Sequence, residues 1–575
     1  MSFTDDGNTA RALPYPYDDP DGPAGVVPGP RPLPSPPPIQ PAVLEVVDGI
    51  VVLVLVLAAC GACVALAQSL PPFLLQSMDF WFEADTVREV SNMTSMHDDH
   101  SRTSVHPLFS MLAFTPVYLL TKSLSISSTQ AVLLVTGLIS GLWTAALYVL
   151  IRLLGCRKLD AAIFTTLGLS SAAAIFWLPV PNTNSWGSFS IMLALILLLF
   201  TEQRPWGAGV YVITSAFTLS FTVTNWMAGL LLTLARWPWK QAAQISINAF
   251  CLVVLLWGVQ KFVFPSAEFF IGSRKEASWI NHPQSGTAQN IASSFVFHTV
   301  IAPAVRFIDD DGYIQFGEDS FRLSQRLAFQ FSSPGSAGPL GLLAVALWSL
   351  LLLNGLWRLV TMGEHLRFRL ILSALLAFEF CLHQVYGEET FTYSLNFIPL
   401  LLAVAALGAV GSGRRVRVVV GLAGLLALCA GINNWQQFQE ARDSATHFTP
   451  QREAMTEMMG KDPERPWPRS VGHVPLATPG ASEAERAYHE PGGDFSPQTP
   501  SFGISLWLCD AQGRPVLTSQ TIPLHEIRQT FAPSAYPNIP AIATNTPYYD
   551  ATWSRLDATR WELRFTNHST YTPAI

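Results

Sequence analysis

Residues 42–70 read AVLEVVDGIVVLVLVLAACGACVALAQSL, an apolar run long enough to cross a bilayer as one helix. Half of the 575 residues are hydrophobic and only 13% are charged, a composition foreign to a water-soluble protein of this length. Ten further apolar stretches lie at residues 129–151, 159–180, 187–201, 206–223, 225–236, 243–264, 337–359, 369–386, 393–411 and 416–432. The sequence therefore predicts a polytopic α-helical membrane protein with about eleven spans, several short enough to be broken or tilted.

Clusters of basic residues between these stretches indicate how the chain crosses the membrane. They contain Arg152, Arg157, Lys158, Arg204, Arg236, Lys240, Arg358, Arg367, Arg369, Arg414, Arg415 and Arg417. All of them fall on one side, the cytoplasmic one, if the short run 106–120 is a re-entrant or interfacial helix. Outer loops are then expected at 71–105 and 265–336. If residues 106–120 crossed fully, the clusters would lie opposite the N-terminal tail.

The two ends of the chain differ from the apolar middle. Residues 1–41 contain twelve prolines and no periodic apolar pattern, which predicts a disordered cytoplasmic tail. Residues 433–575 contain segments of alternating polarity at 501–509, 515–523 and 560–566, typical of strands. We therefore expect three parts: the tail, a transmembrane domain over 42–432, and a small β-rich extracytoplasmic domain over 433–575.

Charge argues against nucleic-acid binding, and cysteine usage argues against a fold held by disulfides. A net charge of −7 with scattered arginines gives no continuous basic face, so nucleic-acid binding is set aside. Most of the seven cysteines lie in or beside apolar runs, which argues against a disulfide framework. Cys60 and Cys63 form a CxxC inside an apolar helix, where packing is favoured over redox or zinc chemistry.

The first predicted outer loop concentrates ionisable residues beside the membrane. It reads DFWFEADTVRE at 79–89, then HDDHSR at 97–102 and HPLF at 106–109. Such density favours a functional site over a simple connection. If residues 85–89 are helical, Asp85, Arg88 and Glu89 share one face and present a base next to a cation. The alternative is a solvated ion pair on an interfacial helix.

The order of these features resembles the GT-C superfamily of membrane glycosyltransferases. An apolar first helix, an acidic residue and an arginine in the first external loop, and His106-Pro107-Leu108 opening a short apolar helix are the matching elements. A second segment, HQVYGEETFTYS at 383–394, is similar to one late in the membrane domain of bacterial members. The resemblance covers roughly residues 43–432 and leaves the C-terminal domain unassigned.

The resemblance implies transfer of a sugar from a polyprenyl-phosphate carrier to a hydroxyl of a glycan, lipid or protein acceptor, with inversion, on the outer face. Asp85 matches the loop acid of the family, whose carboxylate would take the proton of the attacking hydroxyl. The leaving phosphate is already charged and needs cations, for which Arg88, Arg274 and Lys275 are candidates. Arg274 and Lys275 are equally placed to attract the headgroups of membrane lipids.

Further residues are candidates for binding the acceptor or another part of the substrate. They are Glu83, Glu89, His106, His383, Tyr386, Glu388 and Glu389. His106 matches the family motif position but could instead cap the helix that follows. Glu379 and His383 are four residues apart in one span and could satisfy each other.

A metal site is the less favoured expectation for the first loop. His97, Asp98 and His100 offer ligand types that transition metals use. Adjacent residues cannot all point at one ion, however, and members of the family that use monosaccharide lipids mostly work without metal. We therefore expect no cofactor, with a divalent metal as the alternative.

Three other functions remain open from the sequence. A glycolipid transporter or flippase would place polar residues at the midplane of the membrane and often has two related halves. This sequence shows no such repeat, and its polar residues concentrate outside the membrane. A scaffold with a working β-domain would need fewer spans. A ligase or polymerase that uses a pyrophosphate lipid would gain support from a metal in the first loop. The Ala, Leu, Gly and Arg bias and short loops favour a bacterial inner membrane, with the site facing the periplasm.

Overall fold

The computed structural model describes residues 44–71, 80–271, 280, 286–309, 313–316, 319–322 and 325–458, and five strands between 505 and 567. The predicted proline-rich tail at 1–41 lies outside these residues, as do Arg274 and Lys275. Of the predicted C-terminal domain, the described parts are one helix end and the five strands.

Fifteen α-helices occupy most of the described chain. They are α1 (Val46–Ser69), α2 (Thr86–Thr94), α3 (Phe109–Leu124), α4 (Ser128–Leu153), α5 (Lys158–Leu169), α6 (Ala172–Trp177), α7 (Thr183–Gln203), α8 (Ala208–Phe221), α9 (Trp226–Arg236), α10 (Trp239–Val263), α11 (Ala288–Ser293), α12 (Pro339–Thr361), α13 (Leu366–His383), α14 (Ser394–Leu407) and α15 (Arg414–Met458). One-turn 3₁₀ segments lie at Ser101–Ser104 and Thr390–Tyr393, and a π-helical turn lies at Ser294–His298.

Among the described residues, seven segments are long and apolar enough to cross a membrane, as expected of a helical membrane protein. They are Val46–Ser69, Ser128–Leu153, Thr183–Glu202, Trp239–Val263, Pro339–Thr361, Thr390–Leu407 and Arg414–Ala445. The apolar helices α8 and α9 have only 14 and 11 residues, fewer than the roughly 20 that span a bilayer. The count of eleven spans therefore stays a prediction.

The basic clusters share one end of the helix bundle, which we call the basic end. Glu45 at the start of α1 pairs with Lys158 at the start of α5, at 2.6 Å. The last turn of α7 meets the start of α13 where Glu202 lies 2.6 Å from His365 Nδ1. Arg415 at the start of α15 donates to Asn354 of α12 at 2.8 Å. Helix ends that are up to 163 residues apart in sequence thus meet on one side.

Helix α3 begins and ends at the opposite end, which we call the site end. At its start, the backbone N–H of Met111 donates to the side chain of Gln260 near the end of α10, at 3.1 Å. After α3 ends, Ser127 and Gln130 form a reciprocal cap that starts α4, and α4 then runs to the basic end. This path agrees with the prediction of a short helix that does not cross.

The predicted span at 159–180 is broken into α5 and α6. The Ser171 hydroxyl accepts from Ala174 N–H at 3.2 Å and donates to the Gly168 carbonyl at 2.6 Å, capping α6 while closing α5. Backbone N–H groups of Ala172 and Ala173 donate to the carbonyls of Val300 and Thr299. The chain therefore leaves the helix there to bond a loop at the site end.

Aromatic side chains from distant segments form the core at the site end. Phe82 is fully buried, and its ring centroid lies 4.6 Å from that of Phe329, 5.2 Å from that of Phe391 and 5.5 Å from that of Phe176. The Trp81 indole N–H donates to the Phe176 carbonyl at 3.1 Å. Such contacts fix the first loop against the segments around 329 and 391.

Helix α15 continues through position 432, where the sequence suggested a domain boundary. Its polar residues there bond the loop after the π-helical turn. Asn434 Oδ1 accepts from Ala302 N–H at 2.8 Å, and Gln437 Oε1 accepts from Val305 N–H at 3.1 Å. A polar stretch that resembles a loop in sequence is thus helical because its side chains satisfy another segment's backbone.

Nine short strands complete the described structure. Strands β1 (Arg306–Asp309) and β4 (Gln325–Ala328) pair antiparallel, as do β2 (Tyr313–Phe316) and β3 (Asp319–Arg322). The others are β5 (Ser505–Cys509), β6 (Pro515–Ser519), β7 (Ile542–Asn545), β8 (Tyr549–Arg555) and β9 (Trp561–Asn567). These five form one sheet in the order β6-β5-β9-β8-β7. Three of them, β5, β6 and β9, fall within or overlap the segments whose alternation predicted strands.

Candidate active site

Asp85 lies at the site end, at the residue that precedes α2. Its carboxylate forms an ion pair with Arg88, one turn along the helix. Its side chain makes no capping hydrogen bond, and its buried Oδ1 has no hydrogen-bond partner among the described residues. Asp85 therefore keeps one carboxylate oxygen available to a proton donor.

The backbone just before Asp85 adopts an uncommon conformation. Phe82 and Glu83 have φ angles of 51° and 61°, in the left-handed region that residues other than glycine seldom adopt. The burial of Phe82 and the interactions of Glu83 hold this turn in place. Strained turns of this kind concentrate at functional sites.

A small pocket opens on the face of α2 next to Asp85. It is lined by Arg88, Glu89, Asn92, Arg102, Thr103, His106, Phe109, Ser110 and Thr183. Its volume is about 10 Å³, room for about one water molecule. A larger ligand would enter only if lining side chains move.

Electrostatics make this pocket favourable for an anion. Burial, with Arg102 nearby, lowers the pKa of His106 to about 3, so the imidazole is neutral. Its Nδ1 lies 2.7 Å from the Phe221 carbonyl, so Nδ1 carries the proton. Burial also raises the pKa of Glu89 to about 7, against the lowering effect of Arg88. Near neutral pH Glu89 is only partly ionised, so the two arginines exceed the negative charge of Glu89 and Asp85 together.

A second cluster of charges connects the first loop to the segment around Glu389. Arg326 pairs with Glu83 and lies 3.1 Å from Glu388. The backbone N–H of Glu389 donates to Glu83 Oε2 at 3.0 Å. The first loop and the segment around Glu389, 306 residues apart at this hydrogen bond, therefore meet directly in the fold.

Glu389 is buried in this cluster with part of its carboxylate unbonded. It is 2% exposed, and its Oε2 accepts from the Gln330 backbone N–H at 3.3 Å. Its Oε1 has no hydrogen-bond partner within the described structure. Burial raises the pKa of Glu389 to about 7, so the side chain changes protonation state near neutral pH.

Other predicted site residues lie away from the pocket. His383 is buried, with Nε2 3.7 Å from Glu379 and Nδ1 3.3 Å from the Tyr386 carbonyl, so it has the internal partner that its spacing suggested. The Tyr386 backbone forms a bridge with Ile280. The structure thus gathers Arg88, Glu89 and His106 around one pocket, with Asp85 beside it through the ion pair with Arg88. It places His383 beside a different helix.

The candidate metal ligands of the first loop do not converge. His97 is exposed, whereas His100 is buried with Nδ1 2.8 Å from the Ser110 hydroxyl and Nε2 3.0 Å from the Ser95 carbonyl. Asp98 accepts from the Ser91 hydroxyl. Within the described ranges no group of three His, Cys, Asp or Glu side chains is placed to hold a metal ion.

Several residues that the structure places in or beside the site were not among those predicted from the sequence. Arg102 lines the pocket, and Arg326 bridges Glu83 and Glu388. Thr183 donates to Glu89 Oε1 at 3.1 Å. Of these three residues, only Arg102 could have been predicted from the sequence, because it lies four residues, about one helical turn, before His106. Arg326 and Thr183 join the site through long-range packing that a single sequence does not reveal.

The resemblance to the GT-C superfamily rests on the short motifs at 79–109 and 383–394. No protein-family model and no curated protein sequence matches the chain.

Proposed function

We propose that the protein is an inverting glycosyltransferase that moves a sugar from a polyprenyl-phosphate carrier to an acceptor hydroxyl. The observation that carries the proposal is the Asp85 carboxylate oxygen that has no hydrogen-bond partner among the described residues, beside a pocket with two arginines. Displacement at a sugar phosphate needs a base for the attacking hydroxyl and cations for the leaving phosphate. Asp85 and Arg88 lie within one helical turn of each other, and Arg102 lines the same pocket.

In this mechanism Asp85 Oδ1 accepts the proton of the acceptor hydroxyl as its oxygen attacks the anomeric carbon. The bond from that carbon to the phosphate oxygen breaks, and the polyprenyl phosphate leaves with the bonding electrons. Arg88 and Arg102 stabilise the phosphate through charge-assisted hydrogen bonds. Neutral His106 uses its Nδ1 proton on the Phe221 carbonyl, so its Nε2 can accept a hydrogen bond from a hydroxyl of the sugar.

The ion pair of Asp85 with Arg88 suggests that the donor binds first. A phosphate entering the pocket competes with Asp85 for the Arg88 guanidinium. Movement of Arg88 toward the phosphate would enlarge the pocket and release Asp85 to act as base. Binding energy of the donor would thereby assemble the catalytic arrangement.

The cluster of Glu83, Glu388 and Glu389 supports a role at the acceptor side. These carboxylates adjoin the loop that carries Asp85, and the Oε1 atom of Glu389 is unbonded in the described structure. Carboxylates are suited to accept hydrogen bonds from sugar hydroxyls. We further propose that the site end faces the periplasm of a bacterial inner membrane, because the basic end fits the cytoplasmic side. Arg274 and Lys275 remain candidates for contacts with the donor phosphate or with lipid headgroups.

Transfer from labelled polyprenyl-phosphate sugars by the purified full-length protein tests the proposal. The comparison uses wild type, Asp85→Asn and the control Asp99→Asn, each with and without chelator. We expect transfer by wild type and Asp99→Asn that chelator does not change, and loss of transfer in Asp85→Asn. Equal transfer by Asp85→Asn would overturn the assignment of the base. No transfer from any carrier, with sugar lipids crossing proteoliposome membranes instead, would favour a flippase.

A further inference from the structure

Two buried asparagines face a glycine of α7, one helical turn deeper in the bundle than the pocket. Asn225, just before α9, is 2% exposed, and Asn396 of α14 is 5% exposed. A Cβ atom built on Gly187 would lie 2.6 Å from Asn225 Nδ2 and 3.4 Å from Asn396 Oδ1. The lack of a side chain at Gly187 is therefore what gives the two amides their space.

These amides have unused hydrogen-bonding groups. Both polar atoms of the Asn225 side chain and Oδ1 of Asn396 have no hydrogen-bond partner in the described part of the chain. Asn225 stands where asparagine commonly caps a helix, yet its side chain makes no capping bond to α9. Buried amide groups nearly always have partners, because an unsatisfied group is costly. Holding the helix therefore does not account for Asn225.

The amide pair lies near the pocket, one turn further along α7. Thr183 lines the pocket, and Gly187 lies four residues further on the same face of α7, about 6 Å along the axis. The segment before Asn225 also supports the pocket, since Thr222 Oγ1 lies 3.2 Å from His106 Nδ1. A ligand held at the two arginines could thus extend inward to the amides.

We propose that Gly187, Asn225 and Asn396 form the subsite that binds hydroxyl groups of the donor sugar, an inference that rests on the proposed function. An amide offers two N–H donors and an oxygen acceptor, and a hydroxyl both donates and accepts. With the phosphate at Arg88 and Arg102, one sugar ring would bridge the helical turn to the amides. Because Gly187 has no side chain, both amides can lie at this level of α7, from where they would turn toward the ring's hydroxyls.

Binding of two kinds of probe tests the subsite separately from the phosphate pocket. Farnesyl phosphate carries the phosphate alone, and its mannosyl, glucosyl and arabinosyl esters add a sugar. Affinities are measured with the full-length protein in nanodiscs, for wild type, Gly187→Ala and Asn225→Leu. Gly258→Ala is the matched control, because a Cβ atom there meets nothing within 4 Å.

For wild type and Gly258→Ala we expect at least one sugar ester to bind about tenfold more tightly than farnesyl phosphate, as added hydrogen bonds to a sugar allow. Gly187→Ala and Asn225→Leu should abolish this gain and leave the affinity for farnesyl phosphate unchanged. If no ester binds more tightly than farnesyl phosphate, or the gain survives both substitutions, the subsite is overturned while the phosphate pocket stands. If farnesyl phosphate binds wild type no better than Arg88→Ala, both proposals fail.

Thermal unfolding of the variants separates a binding role from a structural one. An unpartnered amide contributes no hydrogen bond to the fold, so Asn225→Leu should keep or raise the unfolding temperature. A lowered unfolding temperature together with a lost sugar gain would instead show that Asn225 supports the fold, and would overturn the proposal. Asn225→Ala, which adds no volume, gives a second test should leucine fail to fold.

Discussion

Two aspartates, Asp48 at the basic end and Asp85 at the site end, each pair with an arginine but differ in what their remaining bonds do. Asp48 Oδ1 accepts from Arg152 Nε at 2.6 Å and from the Tyr148 hydroxyl at 2.8 Å, and Oδ2 accepts from Glu45 N–H at 2.9 Å. Every oxygen of Asp48 is therefore used. Asp85 pairs with Arg88 and leaves Oδ1 unbonded within the described structure.

The difference separates a structural ion pair from a reactive one. Arg152 also donates to the Cys156 carbonyl, so the pair at the basic end ties α1 to α4 with its polar groups satisfied. At the site end, Asp85, Glu89 and Glu389 each retain a carboxylate oxygen without a hydrogen-bond partner in the described ranges. Unused polar groups cost stability and are tolerated where a ligand or a reaction uses them.

The largest effect that would test this contrast is on stability. Asp48→Asn leaves the buried Arg152 without its charge partner and should lower the free energy of unfolding by about 3–5 kcal/mol. The exposed Asp99→Asn should change it by less than about 0.5 kcal/mol. Unfolding by SDS in mixed micelles measures both. A change in Asp48→Asn as small as in the control would contradict the structural role of the pair.

A smaller effect is expected on donor binding. Arg88→Ala and Arg102→Ala each remove charge-assisted hydrogen bonds to the donor phosphate, worth about 1.5–3 kcal/mol, and should weaken donor affinity roughly 10- to 100-fold. Lys122→Ala, on the exposed end of α3, serves as the control and should leave affinity unchanged. Titration with a polyprenyl-phosphate sugar measures all three. Unchanged affinity in both arginine variants would place the donor phosphate elsewhere.

The smallest effect is a pH dependence that Glu89 imposes on donor affinity. Burial raises its pKa to about 7, so above that pH its carboxylate is ionised and repels the donor phosphate. Donor KM should therefore rise severalfold as pH increases through about 7, and Glu89→Gln should flatten the profile. Between about pH 4.5 and 7 the folded state keeps a proton on Glu89 that the unfolded chain has released. The free energy of unfolding should therefore decrease as the pH rises from about 4.5 to 7. A profile that Glu89→Gln leaves unchanged would assign the dependence to another group.

The sequence predicted those parts of the fold that follow from composition and local pattern. Long apolar runs predicted helical spans because lipid requires satisfied backbone groups, and the pattern of arginines predicted that the basic clusters share one end. Residues 85–89 form a helix turn as their spacing suggested, which brings Asp85 next to Arg88. The path of α3 also agrees with the distribution of charge.

The remaining features depend on contacts that local pattern does not contain. Arg326 reaches Glu83 only because the aromatic cluster around Phe82 brings the two segments together. The polar residues Asn434 and Gln437 stay helical because distant backbone groups bond them. Asn225 resembles an ordinary helix cap in sequence, and only the position of Gly187 reveals that its amide faces inward. Contacts of this kind can be identified only from the three-dimensional structure.

Single-turnover transfer by Asp85→Asn loaded with saturating labelled donor tests the central claim most directly. Asparagine keeps the shape of the side chain but cannot take the proton of the acceptor hydroxyl. We expect donor affinity close to that of wild type, with the transfer step slowed about 100- to 10,000-fold. A transfer step within tenfold of wild type, or a rate loss fully explained by lost donor affinity, would contradict Asp85 as the base.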